Sequence, residues 1–328
     1  VIPDDPVASG PAAVRSLHRA GPQRGPMTLP RALLVSLRPH QWTKNLLVVP
    51  AALVFSKHLF EIDPVLRVGL ALVVFCVLSG AVYLVNDLAD LERDRLHPRK
   101  RFRPLASGVL PVPVARAAAV VLFVAGLGAA LLLGPDFFAA SLAYVLLNLA
   151  YSFSLKNVVI LDVIAVSLGF VLRAVAGALA IDVHFSSWLL VITILLALFL
   201  SLAKRRHEMI LLETSAVEHR RILAEYSPYL LDQMIAVVTA SCLTAYAFYT
   251  LAPETVTKYQ TERLALTIPF VLYGIFRYLY LVHRREGGGS PTDVLLTDRP
   301  LLVAVALWAV AVVVIVYGAP GVPVPRGG

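Results

Sequence analysis

The chain has 328 residues, 58% of them hydrophobic and 15% charged, with a mean hydropathy of +0.77. A soluble globular domain carries about 25% charged residues, so this composition excludes an ordinary water-soluble enzyme and a disordered polyelectrolyte, and points to a membrane protein. The net charge of +8 follows the loop pattern described below, and no nucleic-acid partner is expected from it.

The first 26 residues are rich in Pro, Gly and Ala and lack an apolar core of signal-peptide length; a disordered tail over 1–28 is expected. A bilayer core about 30 Å thick needs roughly 20 apolar residues per helical crossing. About nine stretches qualify, with cores near 45–60, 68–86, 114–133, 137–153, 158–180, 187–203, 232–252, 264–283 and 300–317. The first is the weakest, because Lys57 and His58 cut it short. These runs are apolar all round rather than alternating, which favours helices over a barrel. The expected fold is therefore all-α: a multi-pass membrane bundle forming one domain over 29–320, with a short tail at 321–328. Cys76 and Cys242 lie in apolar runs without ligand spacing, and neither a disulfide nor a zinc site is expected.

Lys and Arg fall unevenly between these runs. One set of loops holds Arg93, Arg95, Arg99, Lys100, Arg101 and Arg103, then Lys156, then Lys204, Arg205, Arg206, Arg220 and Arg221, then Arg284, Arg285 and Arg299; the opposite set holds Lys57, Arg67, Lys258 and Arg263. The positive-inside rule places the basic loops and the N-terminus on the cytoplasmic side of an inner membrane, and an odd number of crossings puts the C-terminus outside. The longest polar segments share the basic side, which makes it the expected site of chemistry.

The second apolar run leads directly into NDLADLERDRLHPRKRFRP, residues 86–104. On one continuous helix, Asp87, Asp90 and Asp94 would lie within roughly 60° of one face. Three convergent carboxylates at a membrane boundary need cations, and hard oxygen ligands supplied by few protein groups suit Mg²⁺ bridging to a substrate's phosphates. Asn86 is near enough to orient a carboxylate or a phosphate oxygen. The alternative is a solvated helix end in which these acids pair with Arg93, Arg95 and Arg99.

An apolar helix that delivers Asn-Asp-x-x-Asp-x-x-x-Asp at the membrane surface resembles the first signature of the UbiA-type superfamily of intramembrane transferases. The resemblance runs from Arg38 to the last apolar run. It implies a helical bundle with a central cavity open to the cytoplasm, in which Mg²⁺ on Asp87, Asp90 and Asp94 binds a diphosphate. Tyr151 and Lys156, in YSFSLK, resemble the superfamily's Tyr-x-x-x-x-Lys element, with Lys156 contacting phosphate.

Most members of that superfamily carry a second acidic motif after the sixth crossing. Here the place reads LAKRRHEMILLE: Lys204, Arg205, Arg206 and His207 stand where acids are expected, with Glu208 and Glu213 nearby. Such a cluster suits an anionic phosphate directly, or simply marks the basic side of the membrane. RPHQWTKN, HPRKRFRPLASG and TDRPLL together resemble the superfamily branch of decaprenyl-phosphate phosphoribosyltransferases. That resemblance implies phosphoribosyl pyrophosphate as donor on Mg²⁺ and a polyprenyl phosphate as acceptor, for cell-wall polysaccharide precursors. The implied substrate-binding set is Arg38, Lys44, Asn45, Arg99, Lys100, Arg101, Arg103, Tyr151, Lys156, Asp162, Lys204, Arg205 and Glu208. Within it Arg99, Lys100, Arg101 and Arg103 are expected to form a flexible lid near the donor, Lys44 and Lys156 to bind phosphate at the mouth, and Lys204 with Arg205 to steer the lipid phosphate. A prenyltransferase using a prenyl diphosphate, and a non-catalytic lipid-phosphate carrier, remain as alternatives; homo-oligomerisation is left open.

Asp162 and Arg173 stand eleven residues apart in the fifth run, about 16 Å along a helix, too far for a direct pair. Asp162 would border the cavity, and Arg173 would snorkel or satisfy a carbonyl.

Overall fold

The computed structural model describes residues 27–98, 100–213, 225–284, 294–295 and 297–318. The two expected tails therefore lie outside the described residues, apart from residues 27 and 28, as do Arg99, Arg220, Arg221 and Arg285. Among the described residues every regular element is helical. In chain order the α-helices are α1 (Leu29–Ser36), α2 (Thr43–Val48), α3 (Ala51–Phe55), α4 (Ile62–Ala89), α5 (Leu91–Leu96), α6 (Val112–Ala130), α7 (Pro135–Phe153), α8 (Leu161–Leu179), α9 (Ser187–Glu213), α10 (Pro228–Leu251), α11 (Pro253–Tyr259), α12 (Ile268–Arg284) and α13 (Arg299–Gly318).

Eight of these helices, α4, α6, α7, α8, α9, α10, α12 and α13, are long and apolar enough to cross a membrane, α6 and α12 counted with the adjoining 3-10 turns. The protein is thus multi-pass, with apolar side chains such as Leu132, Val124 and Val314 exposed on the outside of the bundle, as lipid contact requires. Helix starts are set locally. Proline occupies the first turn of α1, α6, α7, α10 and α11, where its missing N–H costs nothing. Ser227 caps α10 by accepting from Leu230 N at 3.1 Å, and Asp298 caps α13 by accepting from Leu301 N at 2.9 Å.

The first expected crossing is not one continuous helix. Proline 50 separates α2 from α3, because it cannot donate to the carbonyl four residues back and its ring crowds that position. The end of α3 is a left-handed residue, Lys57 (φ 66°), followed by a His58 N–H bond to Leu53 O of 3.0 Å, the Schellman arrangement. Contacts nevertheless carry this broken segment from end to end of the bundle. Arg38 pairs with Asp87 at one end; Asn45 donates to Ser79 Oγ in the middle (3.3 Å); the Leu53 and Phe55 carbonyls accept from Tyr317 and Tyr259 at the other end, at 3.0 and 2.7 Å. The described residues thus hold eight continuous spans where about nine crossings were expected, and the first of the nine is this broken segment.

Packing follows a closed path. Helix α4 packs on α6, α7 and α8; α8 packs on α9, α9 on α10, α10 on α12 and α12 on α13; α3 touches α4, α8 and α13. At the centre of the α4–α7 contact, Phe75 meets Phe137 and Tyr144 edge-on, with centroids 6.0 and 5.2 Å apart. Among the described glycines the tightest approach is at Gly177 of α8, where a Cβ would fall 2.2 Å from Val49 O. A side chain there meets backbone and cannot be accommodated by a rotamer change.

Gly177→Ala is therefore expected to displace the broken segment and to destabilise the protein by about 1–3 kcal/mol. Gly80→Ala, whose Cβ meets only the flexible Leu37 side chain at 3.1 Å, should cost less. Thermal unfolding of the two variants in detergent checks the order.

Candidate active site

The acids at the end of α4 do not lie on one helix. Helix α4 stops at Ala89 and α5 starts at Leu91, with Asp90 between them at φ −98°, ψ 6°. This corrects the expectation of a single face, and the break redirects the three carboxylates. Asp87 and Asp94 converge: a single nitrogen of Arg103 lies 3.0 Å from Asp87 and 2.5 Å from Asp94. Asp87 also pairs with Arg38, and Asp94 with Lys100 at 3.9 Å. Asp90 turns to Lys156, 2.6 Å away. The three are 3%, 9% and 2% exposed in chain order. Carboxylates this buried persist as ions only when cations face them, and Arg38, Lys100, Arg103 and Lys156 do so here, with Arg93 4.0 Å from Asp90 at the surface.

Local structure aims each of those bases. Arg38 sits in the left-handed region (φ 53°) directly before Pro39, a conformation that L-residues adopt at a cost, and its guanidinium lies over the Tyr83 ring at 4.8 Å. Lys156 sits in a 3-10 turn after α7 and is buried. Lys100 and Arg103 belong to an ordered turn: Arg103 N donates to Lys100 O at 2.9 Å and Ser107 N to Arg103 O at 2.9 Å, and Leu105 and Leu110 anchor it in the core. The expected lid is, over its described residues, a folded turn whose Lys100 and Arg103 lie on the acids. Arg101 points outward over Phe102, and Arg99 lies outside the described residues. Asn86 is half-buried, and its carbonyl accepts from Asp90 N at 3.0 Å.

A second knot of charge lies at the start of α8. Asp162, fully buried, accepts from Arg205 Nε at 2.7 Å and from the Tyr226 hydroxyl at 2.8 Å. Arg205 also bonds Glu208 (2.5 Å) and reaches the Tyr151 hydroxyl at 3.4 Å; Lys204 Nζ is 3.8 Å from Glu208. Burial pushes the Tyr226 hydroxyl up to about 12, so it remains a donor to Asp162 at ordinary pH. Asp162 thus lies inside the protein as the counter-ion of Arg205, and Arg205 is already bound on three sides.

Asn45 and Arg173 lie deeper. Arg173 donates to Asn45 Oδ1 (2.7 Å), Gly169 O (2.9 Å) and the Tyr144 hydroxyl (2.8 Å); it satisfies a carbonyl and does not snorkel. Lys44 precedes Asn45 on α2 and is half-buried. Residue-pattern reasoning missed Tyr83, Tyr144 and Tyr226. Tyr83 was recoverable, since it stands one turn before Asp87 on the same helix face; the other two meet their partners only through tertiary packing.

Among the described residues no three His, Cys, Asp or Glu side chains gather tightly enough to hold a metal ion by themselves. The donor chemistry nevertheless fits Mg²⁺: two buried carboxylates share one cationic nitrogen, and Mg²⁺ is commonly held by one or two carboxylates with substrate phosphates completing its shell.

A membrane bundle with a broken first crossing and buried acids at the end of a long helix defines a class of intramembrane transferase. Residues 46–292 match the UbiA prenyltransferase family, and the chain belongs to that family. It is similar to decaprenyl-phosphate phosphoribosyltransferase of Corynebacterium glutamicum, 35% identical over 297 residues, covering 89% of each chain. It is also similar to decaprenyl-phosphate phosphoribosyltransferase of Mycolicibacterium smegmatis, 34% identical over 309 residues, 90% of this chain and 96% of that one. Among solved structures, a UbiA homologue from Archaeoglobus fulgidus bound to GPP and Mg²⁺ superposes with a TM-score of 0.66 at 20% identity, covering 87% of this chain and 99% of that one; this likeness concerns the fold.

Asp162→Ala is expected to destabilise the protein by about 3–5 kcal/mol, because it strands a buried guanidinium. Arg206→Ala breaks a pair with Asp232, whose side chain is 37% exposed, and should cost about 0–1 kcal/mol. Thermal midpoints in detergent check the contrast.

Proposed function

We propose that this chain transfers 5-phosphoribose from phosphoribosyl pyrophosphate to a polyprenyl phosphate of the decaprenyl type, releasing pyrophosphate for cell-wall precursor synthesis. The observation that carries this reading is its similarity, along about nine-tenths of its length, to two decaprenyl-phosphate phosphoribosyltransferases. The bases at Lys204–Arg206 in place of acids agree with it, since they cannot chelate a second metal as a prenyl-diphosphate site would. Residues 29–320 act as one transferase domain in the inner membrane, with the Asp87 end of the bundle, and its cavity, facing the cytoplasm; the basic loops support that orientation.

The site's own residues can do the following. Asp87 and Asp94, with Asp90 beside them and Asn86 orienting, would hold Mg²⁺, which when bound with a diphosphate acts as a Lewis acid that neutralises the departing pyrophosphate. Arg38, Lys100, Arg103 and Lys156 neutralise the acids when no donor is present, and the same groups are within reach to exchange a carboxylate for a phosphate oxygen when one arrives. Arg99 and Arg101 add positive charge at the mouth, and Lys44 does so from α2. In the reaction the bond from the anomeric carbon to the pyrophosphate oxygen breaks with oxocarbenium character. A polyprenyl phosphate oxygen then forms the new bond. No general base is needed, because a phosphate monoester loses its second proton near pH 6. Arg205 and Glu208 hold the α8–α9 side of the cavity in shape, with Tyr151 packed against them.

Purified protein in detergent should move label from phosphoribosyl pyrophosphate into polyprenyl phosphate, and EDTA should stop it. Asp87→Ala and Asp94→Ala should each lower turnover by about 10³-fold or more, the scale of about 4 kcal/mol or more of lost electrostatic stabilisation. Label entering aromatic acceptors from a prenyl diphosphate instead would replace this reading with the prenyltransferase one.

A further inference from the structure

Among the described residues, Arg173 is a membrane-buried cation that the reaction above does not use. It lies on α8, is 7% exposed, and makes no ion pair among the described residues. Its acceptors are all neutral: Asn45 Oδ1, Gly169 O and the Tyr144 hydroxyl. The rings of Tyr144 and Phe170 flank it, at 4.7 and 5.2 Å. Three acceptors leave two of the five guanidinium N–H groups over. The network continues through neutral groups, with Asn45 Nδ2 donating to Ser79 Oγ (3.3 Å) and Cys76 Sγ (3.5 Å), and Ser79 sharing a hydrogen bond with Tyr144 (3.2 Å). Every other buried basic side chain described above faces a carboxylate: Lys156 faces Asp90 and Arg205 faces Asp162. An uncompensated charge at this depth is costly.

The position of Arg173 relative to the acids is defined by α4. Ser79, in the Arg173 network, precedes Asp87 by eight residues, about 12 Å along the helix. Tyr83 stands between them on the helix, its ring 4.8 Å from the Arg38 guanidinium. A diphosphate held at Asp87 and Asp94, extended by a ribose toward the bundle interior, covers most of that distance. The attacking group then has to be a phosphate lying inside the apolar part of the protein, attached to a chain that favours lipid. We propose that Arg173 binds the phosphate of the polyprenyl phosphate acceptor, which supplies the missing counter-ion. This inference rests on the transferase reading above. It also relieves Arg205 of that task, since Asp162, Glu208 and Tyr151 already occupy it.

The test is binding of a short-chain polyprenyl monophosphate and of the matching neutral polyprenol by the full chain in detergent with EDTA, followed by calorimetry. The wild type should prefer the monophosphate, and Arg173→Gln should lose about tenfold or more of that preference, the scale of a close charge pair. The decisive variant is Asn45→Asp. It keeps an acceptor 2.7 Å from Arg173 Nε, so any purely structural link between α2 and α8 survives, but it supplies a permanent counter-ion. It should lose the preference as Arg173→Gln does while staying folded, with Ser79 able to turn and donate to the new carboxylate in place of accepting from the amide. Preference retained in Asn45→Asp, or absent from the wild type, overturns the proposal. Transfer from phosphoribosyl pyrophosphate that survives both variants with an unchanged KM for the lipid overturns the Arg173 site and leaves the reaction standing. An Arg173-dependent preference without any such transfer overturns the reaction and upholds the anion site.

Discussion

Ionised side chains inside a membrane bundle have to be neutralised by one another, and the architecture of this protein follows from where that is done. At the end of α4, Asp87, Asp90 and Asp94 draw in Arg38 from before the first crossing, Lys100 and Arg103 from the turn after α5, and Lys156 from the turn after α7. Each of those bases is aimed by its own local backbone. The left-handed backbone at Arg38 and the 3-10 turn at Lys156 set those two bases against Asp87 and Asp90.

The same constraint shapes the other half of the bundle. Asp162 and Arg205 join α8 to α9, and Tyr226 reaches both Asp162 and Ile160 N from the stretch before α10. Further out, Arg277 and Asp298 join α12 to the start of α13 through bonds of 2.8 and 3.1 Å. Between helices in lipid, close packing at small residues such as Gly177 and these polar links act together to set which groups meet.

The broken first crossing connects structure to chemistry. Pro50 divides it, Gly177 lets it lie against α8, and Asn45 ties it to Arg173. Its start carries Arg38 to the acids. A continuous helix over the same residues would satisfy its own backbone groups equally well but could not bend to place Arg38, Asn45 and Phe55 against three different parts of the bundle. The break is therefore what allows one segment to serve the site, the membrane interior and the opposite end together.

Some of this was legible in the residues alone. Hydropathy located the crossings, because a helix in lipid must be apolar over a fixed length whatever it packs against. The spacing of Asp87, Asp90 and Asp94 marked a buried acidic cluster, since charges at the end of an apolar run are costly, and Lys57 with His58 flagged the weak first crossing. Long-range partners could not be read this way. Arg173 meets Asn45 across 128 residues and Arg205 meets Asp162 across 43, and no periodicity in a single segment encodes a contact between two. Helical spacing placed the three carboxylates on one face, whereas the fold broke the helix at Asp90 and sent it to Lys156. By itself, then, the sequence determined that the chain spans a membrane as a helical bundle and which acids end its second crossing, because both depend on local composition. Only the tertiary structure decided which cation answers each acid and, among the described residues, set neutral acceptors around Arg173, because pairing depends on distances between segments that only folding brings together.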